Sequence, residues 1–303
     1  MTALPRRAVL AGLALAPVAS RLRAQAPMRV VLLGTKGGPT PGPYRAAPAT
    51  VLVIGGRGYL VDCGNGVANQ LAKARVLLPS LQHVFITHNH SDHAADAGTL
   101  AVLAWDSGLT HPITYHGPPP LERIVRGQVE AMSYDVEARM REEGRGPLAP
   151  LVKVEEHSEP GVVLREDGVT VTSALVDHWT VKPAFAYRLD TPGRSVVISG
   201  DTTYSPALVQ LARGADLLIH EAMYLPALAS MGPENAPTLR EHLLRSHSTT
   251  QQVGRVAAEA GVKKLVLSHL VPGNPAITDE MWLAGVRERF KGEAVVGRDL
   301  MEV

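Results

Sequence analysis

The sequence predicts an α/β fold in which two packed sheets are flanked on the outside by helices. Two observations carry this prediction. Short β-rich runs occur in both halves of the chain, and helical stretches separate them. Five apolar runs also hand over to a histidine or an aspartate, and layered α/β folds gather their sites beyond the carboxyl ends of strands. No composition break, repeat or low-complexity tract divides residues 27–303, which read as one domain.

The elements follow in order. Residues 28–33 form a first strand, ended by the Gly/Pro-rich stretch 34–43. Residues 50–54 and 59–61 flank Gly55-Gly56-Arg57-Gly58, a hairpin signal. A helix is expected over 67–77 and an apolar strand over 83–87. Residues 92–105 carry helical periodicity and open on acidic side chains, which suits a helix N-terminus. In 121–143, Ile124, Val125, Gln128, Val129, Met132 and Val136 fall near helical spacing. Strands are expected at 169–176, 184–189, 195–199, 217–219 and 264–268, with helices between them, notably 249–260 and 278–290.

The first 26 residues stand apart. Arg6-Arg7 precedes an apolar run over 8–19, and Ala24-Gln25-Ala26 has the form of a cleavage site. The run is shorter than the roughly 20 residues that a membrane span needs. It reads as a signal peptide of twin-arginine type, so a periplasmic or secreted protein with no stable membrane anchor is expected. Over the whole 303-residue chain, 45% apolar and 19% charged residues fit a sizeable core. A formal net charge of +1 gives no strong field toward nucleic acid or an anionic membrane. Cys63 is the single cysteine, which excludes an intrachain disulfide and reads as a packing residue.

The chemistry concentrates in Thr87-His88-Asn89-His90-Ser91-Asp92-His93. His88 and His90 lie two apart on an extended segment and can face the same way, while Asp92 and His93 fall where a helix begins and diverge. One short loop can thus feed two neighbouring metal ions. Imidazole and carboxylate ligands without thiolate suit a catalytic zinc that keeps a position open for water. Further along, TSALVD leads to His178, SVVIS to Gly200-Asp201, DLLI to His220 and LVLS to His269.

THNHSDH resembles the signature of the metallo-β-lactamase fold superfamily, and the later residues fall in that family's order. The resemblance spans nearly everything from residue 28 onward. It implies a four-layer αβ/βα sandwich of two mixed sheets flanked by helices, holding two Zn2+, with Mn2+ or Fe2+ as alternatives. It implies that His88, His90 and His178 form one metal site, that Asp92, His93 and His269 form the other, and that Asp201 bridges them. Asp62 would be the buried aspartate that supports the ligand loop. LLIHEAM and SHSTTQQ resemble motifs of ribonuclease Z-like enzymes, in which a histidine held by a glutamate protonates the leaving group. By that resemblance His247 is the proton donor, and Glu221, with His220 nearby, orients it. Met223 and Ser246 depart from the family's motifs.

The expected activity is hydrolysis of phosphodiester or sulfate-ester bonds, as in arylsulfatase-like and phosphodiesterase-like members. A hydroxide shared by two metals would attack, Asp92 and Asp201 would position it, and His247 would protonate the leaving group. The expected substrate is a small anionic ester rather than nucleic acid. The expected leader and small net charge favour this, as does 127–146, where acids outnumber bases and the pattern reads as an amphipathic helix packed on the body. Homo-oligomerisation stays open. Gly34, Gly37 and Gly38 read as a tight turn or a backbone cradle for a substrate oxyanion, and 226–245 as a lid. His83, His111, His116, His157 and His242 have no partners at ligand spacing. The alternatives are carbonyl-ester hydrolysis of a lactone or thioester, which does not call for the Glu221–His247 pair, and an iron-dependent redox member of the fold.

Overall fold

The chain folds around two mixed seven-stranded sheets. In the computed structural model, which describes residues 28–230 and 237–303, the first half supplies β1 (Arg29–Gly34), β2 (Ala49–Ile54), β3 (Arg57–Val61), β4 (Leu81–Phe85), β5 (Ile113–Gly117) and β6 (Val152–Glu156). Its helices are α1 (Val67–Lys73), α2 (Ser91–Ala94), α3 (Ala97–Asp106), α4 (Leu121–Ala131) and α5 (Ser133–Glu143). The second half supplies β7 (Gly161–Glu166), β8 (Val169–Leu175), β9 (Phe185–Thr191), β10 (Arg194–Ile198), β11 (Leu217–Met223), β12 (Lys264–Val271) and β13 (Glu293–Val296). Between and after these strands come α6 (Pro206–Leu211), α7 (Pro237–Ser246), α8 (Thr250–Ala260) and α9 (Asp279–Arg287). A last strand, β14 (Met301–Glu302), returns to pair antiparallel with β1. The expected leader, residues 1–26, lies outside the described residues.

The first sheet runs β14-β1-β2-β3-β4-β5-β6 and the second β13-β12-β11-β10-β9-β8-β7. Each is mixed. β1 to β3 pair antiparallel and β3 to β6 parallel, while β7 to β10 pair antiparallel and β10 to β13 parallel. Alternation along each strand sorts side chains between two faces. Leu32, Leu52, Phe85, Phe185, Tyr187, Ile219 and Val266 meet in the core between the sheets. Val31, Leu33 and Val51 face outward and pack with Leu100, Trp105 and Val125 of α3 and α4. On the far side, Val197, Leu218 and Leu265 pack with Leu208, Val253 and Trp282 from α6, α8 and α9. Two sheets with helices outside both make the four-layer sandwich that the sequence predicts.

Several elements depart from expectation for local reasons. The helix expected over 92–105 breaks in two at Asp96, whose backbone N–H donates to Cys63 O at 3.1 Å and whose carboxylate accepts from Gly66 N at 2.7 Å. That tie holds the metal-loop helix against the end of β3. The helix expected over 121–143 breaks at Met132, and its second part meets the core through half-buried Val136. α5 buries no residue, leaves Tyr134 84% exposed, and is laced instead by ion pairs such as Arg139 with Asp106 at 3.3 Å. Among the described residues no helix is long and apolar enough to cross a membrane.

One polar feature lies apart from the strand ends. His83 and His116, on adjacent parallel strands, bond through Nδ1 and Nε2 at 2.9 Å. His83 Nε2 continues to Glu166 at 3.0 Å, and His116 Nδ1 to Glu155 at 3.4 Å. Burial, then His83 and His157, push His116 down to about 3. The fold therefore keeps this ring neutral, while the unfolded chain takes up a proton below about pH 6.5. Its contribution is fully present above that pH and is lost as pH falls toward 3. The variant H116F, which keeps the stack on Phe85, should lose less stability than the wild type between about pH 7 and pH 4.5. Urea unfolding at the two pH values checks this, and parallel losses would contradict it.

Candidate metal centre

The expected ligands come together at one end of the sandwich. His88 and His90 follow β4, Asp92 and His93 lie on α2, His178 follows β8, Asp201 follows β10, and His269 sits on β12. Ligand atoms of His88, His90 and His178 lie within 4.8 Å of one another, as do those of Asp92, His93 and His269. Asp201 stands between the groups. Its Oδ2 is 3.8 Å from His88 Nε2 and 4.0 Å from His178 Nε2, against 3.4 Å from His93 Nε2 and 3.2 Å from His269 Nε2. Asp201, His247 and His269 form a further group within the same distance.

Hydrogen bonds on the far side of the rings decide which nitrogen faces inward. His93 Nδ1 donates to Asp62 Oδ2 at 2.8 Å, and His178 Nδ1 donates to Ser246 O at 2.9 Å. His88 Nδ1 donates to Thr87 Oγ1 at 3.1 Å, and that hydroxyl donates to Asp62 Oδ1 at 3.0 Å. Each bond fixes a tautomer that leaves Nε2 with a lone pair aimed at the centre. Asp62 also accepts from Thr87 N at 2.8 Å, so one buried carboxylate orients both ends of the 87–93 loop. The backbone is strained around the centre: Asp62, Trp179 and His269 all have positive φ, at 62°, 52° and 41°.

The donor set fits divalent cations. His93 Nε2 and Asp201 Oδ1 are buried with no hydrogen-bond partner, a costly state that a cation at that point relieves. Burial works against charge at His93, yet the carboxylates of Asp201, Asp62 and Asp92 outweigh it and hold its affinity for positive charge well above normal. A divalent cation meets the same demand. Burial likewise opposes ionisation of Asp92 and Asp201, and the surrounding imidazoles, His93 and His269 foremost, keep both carboxylates well below their ordinary range. His90, by contrast, is pulled by burial to about 4, so it presents a neutral ring. Nitrogen and oxygen donors without sulfur suit zinc or a similar ion.

Beside the centre, His247 Nδ1 donates to Glu221 Oε1 at 3.2 Å. Glu221 Oε1 also accepts from Thr202 N at 3.1 Å and Ser248 N at 3.0 Å, tying the loop after Asp201 to the loop carrying His247. Burial alone would lower His247, but Glu221, Asp201 and Asp92 raise it to about 9. His220 is placed differently. It alternates with Glu221 along β11, is fully buried, and turns Nδ1 to the Glu221 backbone carbonyl at 2.7 Å. It does not border the cleft, so the structure brings Glu221 to His247 without it.

A cavity of about 650 Å³ opens over His90, Asp92, Asp201, His247 and His269. Leu239, His242 and Leu243 of α7 form one wall, and residues 231–236 in the middle of the expected lid lie outside the described residues. His242, set aside in the sequence, places its ring 6.3 Å from those of His90 and His178 and 6.0 Å from that of His247. Helical spacing to Ser246 was the available signal, since residues four apart share a helix face. The glycines of the 34–38 turn serve close packing. A Cβ on Gly34 would stand 1.8 Å from Ala47 O and one on Gly37 2.4 Å from Val271 Cγ2, and the Gly37 N–H is already given to Leu270 O. Gly38 has φ +84° and lines the cavity. Cys63 is a buried packing residue.

Comparison with known proteins agrees with this geometry. A family model described as the β-lactamase superfamily domain matches residues 57–270. Ribonuclease Z of Mycobacterium avium (strain 104) is 36% identical over 279 residues, which cover 91% of this chain and 98% of its own. Ribonuclease Z of Mycobacterium bovis (strain BCG / Pasteur 1173P2) is 33% identical over the same shares. Among solved structures, the metallo-β-lactamase fold protein YhfI from Bacillus subtilis superposes with a TM-score of 0.66 at 23% identity, covering 91% of this chain and 99% of its own. The short form of human tRNase Z gives the same score and identity, covering 91% and 98%. The chain belongs to the β-lactamase superfamily, in its ribonuclease Z-like branch. It is a metal-dependent hydrolase.

These relatives overturn the expectation of a small anionic ester and no nucleic acid, since they are named for action on RNA. The physical error is plain. Net charge averages over the whole surface, whereas the cavity is bordered by Lys36 and Arg45, and neither α4 nor α5, with their acidic residues, lines it.

Substituting Asp62 tests the centre. D62N should weaken divalent-metal affinity about 10- to 100-fold by releasing His93 and Thr87. Competition with a chromogenic chelator reads this, and wild-type affinity would contradict the assignment.

Proposed function

We propose that this protein hydrolyses phosphodiester bonds in RNA, using two divalent cations of which zinc best suits the donors. The observation that carries the reading is the Glu221–His247 pair, buried beside the cluster with His247 bordering the cleft. Two separate ligand groups on either side of Asp201 support two ions, and the names of the relatives support RNA. Bound divalent cations supply Lewis acidity and bring the pKa of water to about 7.

The protein's own residues do the rest. His88, His90 and His178 would hold one ion and Asp92, His93 and His269 the other, with Asp201 standing between the two groups. Asp92 and Asp201 also offer oxygens that orient the attacking water. His247 turns Nδ1 to Glu221, which leaves Nε2 to give its proton to the departing sugar oxygen. Glu221 keeps that ring in place and favours its charged form. Hydrolysis of a lactone or thioester has no use for such a donor. Export through a twin-arginine leader at residues 1–26 would direct the activity to RNA outside the cytoplasm.

The zinc-loaded protein should cleave RNA. H247A should lower kcat about 10²- to 10⁴-fold on RNA and far less on bis(p-nitrophenyl) phosphate, whose leaving group needs no proton. Equal losses on both substrates would remove His247 as the acid. Wild-type protein that leaves RNA intact while opening lactones would defeat the reading itself.

A further inference from the structure

We propose that Lys36 anchors a second phosphate subsite beside the metal centre, one that grips the phosphate next to the bond being cut. The inference rests on the phosphodiesterase reading and deepens it. Two cavities meet at this residue. The larger, about 650 Å³, carries the metal ligands and His247. The smaller, about 240 Å³, runs past Arg45 and Ala47 to Asn65 and Ala95. Lys36, Arg45, Ser91 and Asp92 border both. A polymer needs room on each side of the scissile bond, and this junction provides it within reach of Asp92.

Of the two cations at the junction, Lys36 is the one beside the candidate ligand Asp92, whereas Arg45 lies beside Asp299. Arg45 is turned inward, its NH1 donating to Thr35 Oγ1 at 2.6 Å and to Gly297 O at 2.7 Å. Lys36 Nζ donates to Gly37 O at 2.9 Å and Gly38 O at 3.0 Å, two of its three protons. No carboxylate of the described residues lies within 4.0 Å of it. The two carbonyls fix the ammonium group at the floor of the cleft, and the third proton is free. Gly42 and Gly273 lie beside the stem, where a Cβ on the first would stand 3.4 Å from Lys36 Cε and one on the second 3.3 Å from Lys36 Cγ. The side chain is therefore pre-positioned, and a fixed ammonium is a natural partner for a phosphate oxygen. Burial depresses Lys36 and Asp92 opposes that. A bound phosphate adds to the side of Asp92.

The test uses the metal-loaded protein and two charge-free variants, K36Q and K36M, with K36R as the conservative control. Calorimetric titration with inorganic phosphate should show about tenfold weaker binding in both charge-free variants and near-normal binding in K36R. RNA kinetics should show KM raised about as much with kcat little changed, and a shallower dependence of binding on salt. Metal stoichiometry should stay that of the wild type. Phosphate binding unaltered in K36Q or K36M, or a loss confined to kcat, would overturn the subsite. The phosphate titration needs no RNA cleavage, so failure of the RNA reading with phosphate binding still dependent on Lys36 separates the two ideas.

Discussion

The centre depends on fixing the inner nitrogens of His88, His93 and His178 by bonding the outer ones. A ring with both nitrogens free would adopt either tautomer and several orientations, and several rings crowded together would turn away from each other. Here Asp62, Thr87 and Ser246 take the Nδ1 protons of His93, His88 and His178. The lone pairs that remain all point at the volume around Asp201. Such an arrangement is uncomfortable without positive charge in its midst, as the unpartnered His93 Nε2 and Asp201 Oδ1 show. Strained backbone at Asp62, Trp179 and His269 belongs to the same economy, for the surrounding sheets hold conformations that an isolated loop would relax.

Glu221 plays the corresponding part for His247. One of its oxygens collects two backbone N–H groups and the His247 ring. The loop bearing Asp201 and the loop bearing His247 are thereby tied through a single carboxylate. A ring so held moves with the candidate metal centre rather than with helix α7, which precedes it. Raised to about 9 by that carboxylate and its neighbours, His247 carries a proton at neutral pH.

Much of this was legible in the sequence because the strands that feed the site are short apolar runs ending in polar residues. β4, β8 and β10 were recognisable for that reason. β6 and β7 were not: VKVEE and GVVLRE are edge strands with exposed polar positions, and their pairing supplies what their composition does not. The candidate ligands that the structure brings together came from motif and resemblance, as did the neighbouring Glu221 and His247. His242 was lost because its neighbours in space, His90 and His178, lie 152 and 64 residues away along the chain. The His83–His116 pair escaped for the same reason, since only the parallel pairing of β4 with β5 brings them together. Substrate class was the hardest to read. A charge sum of +1 carries no information about where Lys36 and Arg45 stand.

Anomalous diffraction from crystals saturated with zinc tests the central claim most directly. Two peaks are predicted about 3.5–4 Å apart, one among His88, His90 and His178, the other among Asp92, His93 and His269, with the Asp201 carboxylate between them. Saturated crystals with no peak at these nitrogens, or with the zinc bound elsewhere on the chain, would contradict it.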